Sequence, residues 1–117
     1  MNFLLVFIGG GLGSVLRYGI SLLIPAESTN FPLATFIANL LASVILALLI
    51  KLSLENKISG QNLLLAATGF CGGFSTFSTF SLENIKLIQN GHVSIAILNA
   101  IISLLACGIA MHFILKT

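Results

Sequence analysis

The sequence predicts an all-α membrane protein, a single domain of four transmembrane helices with the third helix broken near Gly72-Gly73. Three observations predict it. The chain has 117 residues, 57% of them hydrophobic, with five basic and three acidic residues, or 7% charged. A soluble domain carries about 25% charged residues, too many for this chain to have a water-facing surface of its own. Charge-free runs extend over Ser28–Ile50, Ile58–Leu82 and Leu87–Leu115, each long enough for a helix of about 20 residues crossing the hydrocarbon core. Finally, one run carries a Gly-, Ser- and Thr-rich segment in its middle. These numbers exclude a nucleotide-hydrolysing domain, an extramembrane sensor and any sizeable soluble enzyme.

The first span runs from about Phe3 to Ile24 and stops at Pro25. Met1-Asn2-Phe3 has no basic n-region and no small-x-small cleavage site follows, so it reads as the start of that span rather than a secretory signal. Ala26-Glu27-Ser28-Thr29-Asn30 is polar and short, a turn. The second span covers about 31–50, with Pro32 in its first turn, and gives way to a solvated loop from Lys51 to Asn62. The third, about 63–86, passes through Gly69–Phe80 and ends on an amphipathic turn bearing Glu83 and Lys86. Asn90-Gly91-His92 is a turn, and the fourth span covers about 93–115.

Four spans put Lys51, Lys57 and Lys116 on one side and Lys86 on the other, with Arg17 beside it if it reaches the end of its span. Three against two is a feeble positive-inside bias. Either five basic residues are too few to count, or the chain inserts both ways, which permits an antiparallel dual-topology homodimer. A net charge of +2 without a basic cluster points to no nucleic-acid partner.

Polar residues inside a membrane span are the informative ones. Thr35, Asn39 and Ser43 share one face of the second span, and Asn99, Ser103 and Cys107 one face of the fourth, each set at four-residue spacing. Either stripe alone reads as helix–helix contact, at about 1 kcal/mol per hydrogen bond. Two stripes with a polar segment between them in sequence read as a pathway. In that segment Gly72-Gly73 lowers helix propensity by about 1 kcal/mol per glycine. Ser75, Thr76, Ser78 and Thr79 follow, with Phe74, Phe77 and Phe80 spaced by three. Membranes tolerate a broken helix only where its freed backbone groups find partners, and such breaks present carbonyls to cations and amides to anions.

The remaining signals weigh against other classes. The acids are Glu27 and Glu55 in loops and Glu83 near a span end, so no carboxylate sits mid-membrane to carry a coupled proton. Arg17 either snorkels to the interface or places a positive charge at the mouth of an anion route. Gly73-Phe74-Ser75 has the spacing of a serine-protease nucleophile, but four helices leave little scaffold for a catalytic pocket, so no enzyme is expected. Gly9-Gly10-Gly11-Leu12-Gly13 is not a strict nucleotide-binding motif and follows no strand; Gly9-x-x-x-Gly13 and Gly69-x-x-x-Gly73 read as close-packing motifs. Cys71 and Cys107 form no C-x-x-C and read as small apolar residues.

Gly9 through Tyr18 (GGGLGSVLRY), Thr35 through Asn39 (TFIAN) and Gly69 through Phe80 (GFCGGFSTFSTF) resemble the first, second and third helix signatures of the CrcB/Fluc fluoride channels. The resemblance covers all four spans in order. It implies an antiparallel homodimer with two fluoride pores, exporting cytoplasmic fluoride across a prokaryotic inner membrane. It also implies a structural sodium ion on the dimer axis, held by the backbone carbonyls of Gly72 and Ser75. Phe77 and Phe80 would be the pore phenylalanines and Asn39 the pore amide. Thr35, Ser78, Thr79 and Ser103 would supply hydroxyls, and Arg17 and Glu83 would lie toward the pore entrances. Ser75 stands where Thr is usual, Asn99 where Tyr is usual and Cys107 where Ser is common.

The physics suits a small anion. Taking it out of water costs tens of kcal/mol by Born reasoning, and hydroxyl and amide donors replace part of the lost shell. Phenylalanine ring edges carry the positive end of the ring quadrupole, a buried cation adds attraction at low dielectric, and carbonyl cages suit hard cations. The competing reading is a four-helix drug or guanidinium exporter, but that class needs an acid deep in its first span, where this chain has only Arg17.

Overall fold

The computed structural model describes residues 1–24 and 30–117. The expected turn at Pro25–Thr29, with Glu27, lies outside the described residues. Helix α1 covers Asn2–Leu23 and α2 covers Leu33–Leu54. The third span, Gly60–Gln89, is composite: α3 (Gly60–Leu63), a π-helical stretch (Leu64–Cys71), α4 (Gly72–Phe74) and α5 (Ser78–Gln89). Helix α6 covers Val93–Lys116. Among the described residues, four helices are thus long and apolar enough to cross a membrane, and there is no strand. The longest dimension, 48 Å, is enough to cross a hydrocarbon core plus headgroups, about 40–45 Å.

Several helix ends differ from the expectations, each for a local reason. Pro32 is not inside the first turn of α2 but precedes it, with ψ 73° outside the helical range. At its other end α2 runs past Lys51 to Leu54. It stops where Asn56 takes a left-handed φ of 57°, its N–H bonding Ser53 O while the Lys57 N–H returns to Leu52 O at 2.8 Å. This paired closure is a Schellman motif. Gly91, at φ 83°, closes α5 in the same way, with His92 N–H on Leu87 O at 2.7 Å. The third span starts earlier than expected because Ser59 caps it, its hydroxyl accepting the Asn62 N–H at 3.1 Å.

A finer point concerns the glycine pair. Gly72 is helical, at φ −63° and ψ −38°, and helical backbone continues through Phe74. The chain leaves the helix at Ser75, whose ψ is 157°, and re-enters it at Ser78. The glycines serve close approach instead. A Cβ on Gly73 would collide with Gly10 O, on Gly9 with Leu65 O and on Gly13 with Phe70 O, all main-chain atoms. Both small-residue motifs therefore seat α1 on the π stretch and α4, its chief neighbours.

Helix α6 packs against α2 and α5. The interior is thin: Ala38, Ala42 and Phe74 form its buried cluster, with Ile20, Ile45 and Phe70 against it. Large apolar side chains such as Phe7, Val15 and Leu104 point outward, as expected where the surrounding solvent is lipid.

Candidate functional site

The residues between α4 and α5 are held by side chains from two other spans. Asn39, on α2, accepts the Thr76 N–H through Oδ1 at 2.8 Å and donates from Nδ2 to Thr76 O at 3.2 Å. On the opposite flank Arg17 Nε and Ser14 Oγ of α1 donate to Gly73 O, at 3.2 and 3.4 Å. A cation at the carbonyl end of a helical segment is electrostatically favourable. The Ser75 N–H and hydroxyl both return to Cys71 O. Thr76 caps α5, its Oγ1 accepting the Thr79 N–H at 3.2 Å and meeting Ser78 Oγ at 3.3 Å.

These bonds redirect donors that a continuous helix would use otherwise. With i→i−4 pairing the Thr76 N–H would bond Gly72 O, yet it bonds Asn39. The Thr79 N–H would bond Ser75 O, yet it bonds the Thr76 hydroxyl. Gly72 O and Ser75 O are thereby released from helical pairing as acceptors, and Gly72 lies on an exposed face.

Beside this segment lies an open cleft of about 470 Å³. Asn39 and Ser43 border it from α2, Ser103 and Cys107 from α6, and Phe77 and Phe80 from the third span. Two residues of each polar stripe thus border one cavity, while Thr35 and Asn99 do not. The Phe77 and Phe80 rings stand 5.9 Å apart and tilted by 35°; Phe77 is 79% exposed and Phe80 half-buried. Cavities that bind ligands are characteristically apolar with a few convergent polar groups, as here.

The other sequence-predicted residues sit elsewhere. Thr35 is buried and lies against the Glu83 carboxyl, with Lys86 nearby. Glu83 borders a second cleft of about 120 Å³ with Asn30, Pro32, Lys86 and Asn90, and its Oε1 has no hydrogen-bond partner among the described residues. Arg17 lies at the α4 carbonyl end, Ser78 is exposed and Thr79 half-buried.

The sequence assigns no role to two residues of the site. Thr76 carries the bonds of the interruption; its signal was a Thr three residues before Thr79 at a helix start, the spacing of a capping side chain. Asn84 was not singled out. It accepts from Asn99 Nδ2 at 2.7 Å, while Asn99 Oδ1 accepts from Ser103 Oγ at 3.1 Å. Its signal was its place four residues after Phe80 in the same helix, on the same face.

Four apolar spans, three of them bordering a cleft with a few convergent polar groups, define a multi-pass membrane protein. No group of His, Cys, Asp and Glu able to hold a metal ion occurs among the described residues. Residues 4–114 match the family described as CrcB-like protein, camphor resistance (CrcB), and the chain belongs to that family. A relative from Azobacteroides pseudotrichonymphae is 48% identical over 104 residues, covering 87% of this chain and 83% of its own. One from Thermus thermophilus is 44% identical over 104 residues, 88% of this chain and 83% of its own. One from Coxiella burnetii is 41% identical over 111 residues, 92% and 89% of the two chains. All three bear the name fluoride-specific ion channel FluC, that of a conducting protein and not of an enzyme.

Proposed function

We propose that this chain forms a passive, fluoride-selective channel that exports fluoride across a prokaryotic inner membrane, working as an antiparallel dual-topology homodimer with two pores. The observation that carries the reading is the cleft, where Asn39, Phe77, Phe80 and Ser103 converge, in a chain whose relatives are named as fluoride channels. A dehydrated anion needs donors and ring edges in place of water, and the cleft offers both. No mid-membrane carboxylate is present in the sequence to couple transport to protons, so the anion moves down its own gradient.

A second copy and a sodium ion complete the assembly. Gly72 O and Ser75 O are released from helical pairing, and main-chain oxygens are the ligands a hard cation takes. Two carbonyls on one flank do not enclose a cation, so a second copy supplies a matching pair across an axis, four main-chain oxygens in all. Bound there, sodium would supply a fixed positive charge beside the two pores. Gly72 is the residue turned outward, as such a shared site requires. Ser75 in place of the family's usual Thr leaves a main-chain ligand unchanged.

Liposomes carrying the purified protein and loaded with fluoride, read by a fluoride electrode, test the reading. Rapid fluoride efflux with far slower chloride efflux is expected. No efflux, or chloride efflux of similar size, overturns it.

A further inference from the structure

Polar residues of the third and fourth spans form a chain of hydrogen bonds with a direction. Ser103 Oγ donates to Asn99 Oδ1 at 3.1 Å, and Asn99 Nδ2 donates to Asn84 Oδ1 at 2.7 Å. Asn99 is 1% exposed, so water does not substitute for either partner. In this arrangement the Ser103 proton is spent on Asn99, and its oxygen turns lone pairs toward the cleft, the wrong polarity for an anion.

An amide's oxygen and nitrogen ends have nearly the same size and shape. Turning both the Asn84 and Asn99 amides by half a revolution reverses every bond while leaving the backbone in place. Asn84 Nδ2 then donates to Asn99 Oδ1, Asn99 Nδ2 donates to Ser103 Oγ, and the Ser103 O–H is released to the cleft. Ser43 and Ser75 have no such alternative, because their hydroxyls donate to Asn39 O and Cys71 O, main-chain carbonyls that only accept.

We propose that Asn84 is a positioning residue: through Asn99 it sets whether Ser103 presents a lone pair or a proton to the cleft, and its amide, able to donate or accept, allows the reversal as an anion arrives. The proposal rests on the cleft being the fluoride path. A purely adhesive role, in which Asn84 only fastens α5 to α6, would use the same bond in one direction.

Fluoride efflux from reconstituted liposomes separates the two. Asn84→Leu is expected to slow efflux at least tenfold, while Asn84→Gln, which keeps the amide, stays within about threefold of the wild type. In the Ser103→Ala background Asn84→Leu is expected to add less than twofold, because no hydroxyl remains to be turned. Wild-type efflux in Asn84→Leu overturns the proposal, and so do defects of the two variants that multiply. If Asn84→Leu fails to elute as monodisperse protein, Asn84→Ala, which likewise has no hydrogen-bonding group, is measured against the same criteria. A wild-type protein that releases no fluoride overturns the channel reading itself, whereas a conducting wild type with an indifferent Asn84 overturns only the relay.

Discussion

Asn39 grips the Thr76 peptide by both edges, its carbonyl oxygen taking the N–H at 2.8 Å and its amide giving a hydrogen to the C=O at 3.2 Å. A side chain thus acts as a surrogate strand for one peptide unit. The residue expected from the resemblance to serve as a pore amide is also the clamp that holds the interrupted span open, with its second amide hydrogen left over for the cleft it borders.

Asn39→Leu should abolish both tasks. Each orphaned main-chain group costs about 1–3 kcal/mol, so thermal unfolding in detergent, followed by circular dichroism, should move down by several degrees. Fluoride efflux should fall at least tenfold. Asn39→Asp keeps the acceptor and loses the donor, so it should be the more stable of the two yet conduct as poorly, since a carboxylate repels the anion.

Phe77→Ile preserves apolar bulk but removes the ring edge, and should cut fluoride efflux more than tenfold in the electrode assay. The ring is 79% exposed and leaves no cavity behind, so the unfolding midpoint should barely change.

Gly73→Ala drives a methyl group into Gly10 O. Overpacking of this kind costs about 1–3 kcal/mol, and neither main-chain segment can step aside without moving a helix. Loss of the monodisperse peak on size-exclusion chromatography is expected. Gly11→Ala, where a Cβ meets nothing within 4 Å, should elute as the wild type does.

Replacing sodium by N-methylglucamine on both sides of the liposome should slow fluoride efflux at least tenfold, with recovery when sodium is restored. Ser75→Ala should leave that sodium requirement in place, because the proposed ligand is the main-chain oxygen.

The four spans were legible because charge is so scarce that its rare positions mark the ends. The polar stripes were legible because four-residue spacing stacks side chains whatever the tertiary arrangement. The cause of the interruption was not. Gly72-Gly73 reads as a helix breaker from propensity alone, but in a membrane the helix keeps its hydrogen bonds unless something replaces them. The replacements, Asn39 and the Thr76 hydroxyl, come from a distant span and from beyond the glycines. Asn84 escaped notice because an asparagine near a span end looks solvated until its partner on α6 is known.

The π-helical stretch Leu64–Cys71 has a consequence for everything after it. Each residue of an α-helix turns the chain by about 100°, so a wider turn sets the azimuth of all that follows. Gly69 and Gly73 face α1, and Gly72 faces outward, only at that azimuth. Removing one residue from the stretch would leave the composition and hydropathy of the span almost unchanged. It would still swing the glycines, the Ser75–Phe77 segment and the phenylalanine pair to a different compass bearing, so the span's function depends on its phase as much as on its residues.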